Sequence, residues 1–147
     1  MDTVVFIGLG KMGGPVAKRI QMAGSPMVVC DLNAEAQAPF LKRGARSAST
    51  PNEVARLSDV VYTALPTQEE VEKSALGSEG ILQGISKGSM YVDISTGGPE
   101  LIRRTAARFR EKGAWAVDAP VSIGQPGAAP GVHEIMIGAD QEVFSRL

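Results

Sequence analysis

The chain has one cysteine and one histidine among its 147 residues. Cys30 therefore cannot form a disulfide within the chain, and Cys30 with His133 falls short of a closed zinc site built from Cys and His ligands. A reducing, metal-free setting is expected. Excess charge is scarce as well. Fifteen Lys and Arg against sixteen Asp and Glu leave a formal charge of -1, too little positive field to hold nucleic acid or an anionic membrane surface. No apolar run approaches the roughly 20 residues of a membrane-spanning helix. Asp2 stands where a signal peptide would carry positive charge. These absences point to a cytoplasmic protein with neither nucleic acid nor membrane among its partners. With 44% hydrophobic residues, the length suits one globular domain over residues 1–147.

What the sequence does have is a regular alternation of two periodicities. Thr3-Val4-Val5-Phe6-Ile7 is a β-branched and apolar run that stops at Gly8, as in a strand buried on both faces of a parallel sheet. Met12, Val16, Ala17, Ile20 and Ala23 then recur at helical spacing, with Pro15 tolerated in the first turn and Gly24 closing the helix. Met27-Val28-Val29-Cys30-Asp31 is a second apolar run ending in a carboxylate. Val60–Leu65, Met90–Ile94 and Trp115–Val117 read as further strands, and Leu101, Ile102, Thr105, Ala106 and Phe109 form one face of a helix opened by Pro99. Alternating strands and helices predict an α/β fold: a doubly wound, mostly parallel sheet of Rossmann type with helices on both faces. Pro39 predicts a kinked or late-starting helix after the second strand.

The loop joining the first strand and helix reads Gly8-Leu9-Gly10-Lys11-Met12-Gly13. A bare G-x-G-x-x-G is a weak signal, but between a strand and a helix it places backbone N–H groups and the helix dipole where a pyrophosphate binds. Gly8 would make the tight turn, Gly10 would let the phosphates approach, and Gly13 would let the helix pack close to the strand. Asp31, about 20 residues further on, stands where a carboxylate accepts both hydroxyls of the adenine ribose and repels a 2′-phosphate. Leu32 and Asn33 follow it rather than arginine, so NAD is favoured over NADP. A purely structural role, with Asp31 capping the next helix, competes less well because Asn33 is the better placed cap.

Taken together, Gly8–Gly13, Leu65-Pro66-Thr67, Asp93-Ile94-Ser95-Thr96 and Asp118-Ala119-Pro120-Val121-Ser122 resemble the N-terminal half of the 3-hydroxyisobutyrate dehydrogenase family, related to 6-phosphogluconate dehydrogenase. The resemblance implies that Leu65, Pro66, Thr67 and Thr96 lie along the cofactor, and that Thr96, Ser122 and Gly124 bind a small hydroxyacid substrate. Ser95 and Thr96 are also candidates to cap the helix at Pro99. Ile123 stands where the family carries a glycine, so the 3-hydroxyisobutyrate substrate itself is not assigned. The family's proton-transferring lysine lies on a long helix after this domain, and a helical second half closes the cleft and forms the dimer contact. Neither falls within residues 1–147. The chain by itself is therefore expected to bind NAD, to lack turnover and to expose an apolar surface, while the full-length protein is expected to be a homo-oligomeric 3-hydroxyacid dehydrogenase. A non-catalytic dinucleotide-binding or assembly module is the alternative.

Overall fold

Val4–Ile7, four apolar residues in a row, forms β1 at the centre of the sheet and is buried throughout. The computed structural model describes residues 2–123 and 133–145. After β1 come α1 (Gly13–Met22), β2 (Met27–Cys30), α2 (Ala34–Leu41), β3 (Arg46–Ser47), α3 (Pro51–Ala55) and β4 (Val60–Thr63). They are followed by α4 (Gln68–Leu76), α5 (Ile81–Gly84), β5 (Met90–Asp93), α6 (Pro99–Glu111), β6 (Trp115–Asp118), β7 (Val121–Ile123), β8 (His133–Ile135) and α7 (Gln141–Phe144). Strands one to six make a sheet in the order β3-β2-β1-β4-β5-β6, and every neighbouring pair is parallel. β7 and β8 form a separate antiparallel pair, tied to the end of β6 by a bridge between Asp118 and Gly138. Among the described residues no helix is long and apolar enough to cross a membrane.

The expected Rossmann sheet with helices on both faces is what the chain builds. Because successive strand residues point to opposite faces, Val5, Ile7, Val28 and Val61 pack with Val54, Ala75, Ile81 and Phe109 on one side. Val4, Phe6, Val29 and Val92 pack with Ala17, Phe40 and Val143 on the other. Continuous apolar runs are required because neither face is left to solvent. The α6 face read from the sequence is also the one buried, with Leu101, Thr105 and Phe109 inward and Arg104 paired outward to Glu72.

One expectation needs adjustment. α2 does not start late: Asn33 caps it by accepting the Glu35 N–H at 2.9 Å, and the helix runs from Ala34 through Pro39. It ends two residues after the proline, so few turns depend on the missing donor. β3 had no apolar signature, since Arg46 and Ser47 are both exposed and join the sheet edge only through backbone pairing with Val28 and Val29. Ile135 ends β8 while Met136 and Ile137 lie outside any strand, and all three side chains are exposed, as is Phe144.

Candidate dinucleotide site

The strand order reverses between β1 and β4: β2 and β3 lie to one side, β4, β5 and β6 to the other. In a doubly wound sheet the crevice outside the carboxyl ends of the strands at this switch point is the ligand site. The sequence places its glycine loop there. Gly8 holds φ +89°, and a Cβ on it would stand 2.3 Å from the Ala64 carbonyl oxygen. Gly13 is tighter still: a Cβ would lie 1.9 Å from the Gly8 carbonyl oxygen and 3.0 Å from Cε1 of Phe6. Both glycines allow β1, the loop, β4 and α1 to approach within backbone contact. Gly10 differs, being exposed with nothing within 4 Å of where its Cβ would be. Protein packing does not require a glycine there, whereas a phosphate approaching the backbone does.

α1 begins at Gly13 with no side-chain cap and no acidic residue in its first turn. An uncapped helix start with no anion of its own is suited to bind one through its N–H groups and dipole. Leu9 is buried under the loop, Met12 is half-buried, and Lys11 projects into solvent beside it. A groove of about 570 Å³ runs from Leu9, Gly10 and Gly14 to Pro39, Phe40 and Arg43 between α1 and α2.

Asp31 follows β2 and braces this loop directly. Its Oδ2 accepts the Leu9 N–H at 2.6 Å, and its Oδ1 accepts the Asn33 N–H at 2.8 Å. Each carboxylate oxygen keeps capacity for another donor such as a ribose hydroxyl. Neighbouring Cys30 is buried, and burial, with added repulsion from Asp31 and Glu53, pushes its thiol up to about 11. It is an inert core residue, as its place in an apolar strand suggested.

On the other side of β1, the turns after β4 and β5 are held together. The Leu65 N–H donates to Ser95 Oγ at 2.9 Å, and the Ser95 N–H donates to Asp93 Oδ1 at 3.0 Å. Thr63 Oγ1 donates to the same Asp93 oxygen at 2.8 Å and lies 3.0 Å from the Tyr91 hydroxyl. Since the Thr63 proton goes to the carboxylate, Tyr91 is the donor in that contact. Burial, then the Asp93 charge, pushes the Tyr91 phenol well above its ordinary value, keeping it protonated. Asp118 pairs in register with Asp93 across β5 and β6, and its carboxyl is raised by burial and by the Asp93 charge.

Neither Ser95 nor Thr96 caps α6, whose cap is Gly98 without a side-chain bond. Ser95 is drawn inward by Leu65 and Asp93, leaving Thr96 exposed in the turn. Pro66 and Thr67 are exposed beyond Leu65. The Thr67 hydroxyl accepts the Glu70 N–H and donates to Glu70 Oε2, capping α4. Ser122 is half-buried on β7 opposite Glu134, and Gly124 lies outside the described residues. The sequence reading gave no role to Asp93 or Thr63. Two polar residues ending otherwise apolar strands were the available signal. A wider concavity of about 920 Å³ opens at the amino ends of the strands, lined by Asp59, Val60 and Lys87 among others. It contains none of the loop residues and lies at the wrong end of the sheet for this fold's ligands.

Fold and loop together define a dinucleotide-binding domain of Rossmann type. Residues 3–147 match the family described as the NAD binding domain of 6-phosphogluconate dehydrogenase, and the chain belongs to this family. It is 37% identical to the mitochondrial 3-hydroxyisobutyrate dehydrogenase of Bos taurus over 142 residues, covering 97% of this chain and 42% of that protein. The solved 3-hydroxyisobutyrate dehydrogenase of Mycobacterium tuberculosis with L-serine superposes with a TM-score of 0.87 at 30% identity, covering 99% of this chain and 49% of the other. Psf3 in complex with NADP+ and 2-OPP superposes with a TM-score of 0.87 at 28% identity, covering 97% of this chain and 51% of the other. The chain thus spans about half the length of the proteins it resembles.

Proposed function

We propose that these 147 residues are the cofactor-binding half of an NAD-dependent dehydrogenase acting on a small 3-hydroxy acid. The observation that carries the reading is the open space over Gly10 at the uncapped start of α1, set beside a carboxylate at the end of β2. Gly10 and the first turn of α1 offer N–H groups to a pyrophosphate, and Asp31 offers its carboxylate to the adenine ribose. When bound, NAD supplies the hydride acceptor. Leu65, Pro66, Thr67 and Thr96 border the nicotinamide half, with Thr67 contributing backbone because its hydroxyl is engaged at α4. Thr96, Ser122 and Gly124 orient the substrate, a contribution of position rather than of proton transfer. The residue that takes the hydroxyl proton belongs to the half of the relatives' length that these residues do not span.

Calorimetric titration of the chain with NADH and NADPH tests the reading. NADH is expected to bind at least about tenfold more tightly, since the Asp31 charge opposes a 2′-phosphate. Asp31→Asn should narrow the preference while the amide oxygen still accepts the Leu9 N–H. Equal or tighter NADPH binding by the parent chain would overturn the choice of NAD. Binding of neither nucleotide would overturn the cofactor role. A non-catalytic binding module is the second reading, and loading of NAD without turnover by the full-length protein would favour it.

A further inference from the structure

The dinucleotide has two halves, and the sheet provides a different support for each. If the pyrophosphate sits on the loop after β1 and the adenine ribose faces Asp31 after β2, the nicotinamide half must run the other way, over the turns after β4 and β5. Those turns are not linked by strand pairing, which ends at Thr63 and Asp93. Beyond it, the Ile94 N–H reaches the Thr63 carbonyl at 2.9 Å. One polar chain continues the connection: Asp93 Oδ1 gathers the Thr63 hydroxyl and the Ser95 N–H, and Ser95 Oγ takes the Leu65 N–H. Asp93 is 3% exposed and Ser95 6%, so these bonds form in a low-dielectric setting where a lost partner is not replaced freely by water.

We infer that Asp93 and Ser95 are positioning residues that clamp the Leu65-Pro66-Thr67 turn in the conformation that receives the nicotinamide half of the cofactor. The inference rests on the dinucleotide reading above. Asp93 acts through Ser95, and Ser95 acts through the Leu65 backbone. The clamp leaves the loop after β1 untouched, because Leu9 is held instead by Asp31.

The test separates the two halves of the ligand. ADP, which lacks both the nicotinamide and its ribose, needs only the loop and Asp31, whereas NADH needs the clamped turn as well. Ser95→Ala in the full 147-residue chain should raise the NADH Kd about tenfold, the scale of one buried hydrogen bond. The ADP Kd should stay within about twofold of the parent value, inside what an uninvolved substitution produces. Thr63→Val, which keeps shape but removes one donor to Asp93 and the acceptor of the Tyr91 hydroxyl, should shift NADH in the same direction. If the parent binds both ligands and Ser95→Ala weakens both equally, or neither, the clamp is refuted while the cofactor reading stands. If the parent binds neither, the cofactor reading fails and the clamp fails with it.

Discussion

Two glycines three positions apart should respond to the same methyl group in opposite ways. At Gly13, an alanine Cβ would meet the Gly8 carbonyl oxygen at 1.9 Å, Ala64 Cβ at 2.8 Å and Phe6 Cε1 at 3.0 Å. The first of these atoms is backbone and the third belongs to a fully buried ring, so relief requires moving the loop or α1 off the strand. Overpacking of this severity costs about 3 kcal/mol, or roughly 10 °C in Tm for a chain of this size. At Gly10 nothing lies within 4 Å and φ is not positive, so alanine should change stability by less than about 0.5 kcal/mol. The methyl would instead occupy the approach of the pyrophosphate. Losing one charge-assisted hydrogen bond there, about 1.5–3 kcal/mol, means at least a tenfold weaker NADH Kd. Differential scanning calorimetry and NADH titration of both variants read the two effects separately. A Gly10→Ala chain that binds NADH like the parent would refute the phosphate assignment. A Gly13→Ala chain that melts like the parent would refute the packing argument.

Other consequences are simpler to read. Cys30, with its thiol near 11, should resist a disulfide reagent at pH 7.5 in the folded chain and react promptly in denaturant. Thr67→Ala should lower stability by about 1 kcal/mol through loss of the α4 cap, seen as a Tm drop of about 3 °C. Asp118 holds its proton to higher pH in the folded state than the ordinary 3.8. Its stabilising contribution is therefore full below that value and lost as pH rises through the folded-state value. Asp118→Asn should raise Tm at pH 7 and make little difference near pH 3, and a gain confined to acid would contradict the assignment.

The first strand, loop, helix and second strand were legible because their signals are local. A four-residue apolar run, glycines at fixed offsets and a carboxylate ending the next strand need no knowledge of the rest of the chain. The strands were read one residue too long at Thr3, Asp31 and Ile94, two too long at Leu65 and one too short at Val117, because the side-chain pattern does not stop where the backbone ladder does. β3 was invisible because Arg46 and Ser47 contribute only backbone to the sheet edge. The Asp93 network was invisible for a different reason. Thr63 and Asp93 are register partners only because β4 and β5 are neighbours, and no spacing in the sequence encodes that adjacency. The same adjacency explains why Ser95 faces Leu65 instead of capping α6.

The central claim is that the loop after β1 holds a nicotinamide dinucleotide. An amide NMR titration of the 15N-labelled chain with NADH tests it residue by residue. The account predicts saturable shifts at Leu9, Gly10, Met12, Gly13 and Asn33, with Asp59, Val60 and Lys87 at the opposite end of the sheet unmoved. Shifts confined to that opposite end, or no saturable shifts, would contradict it.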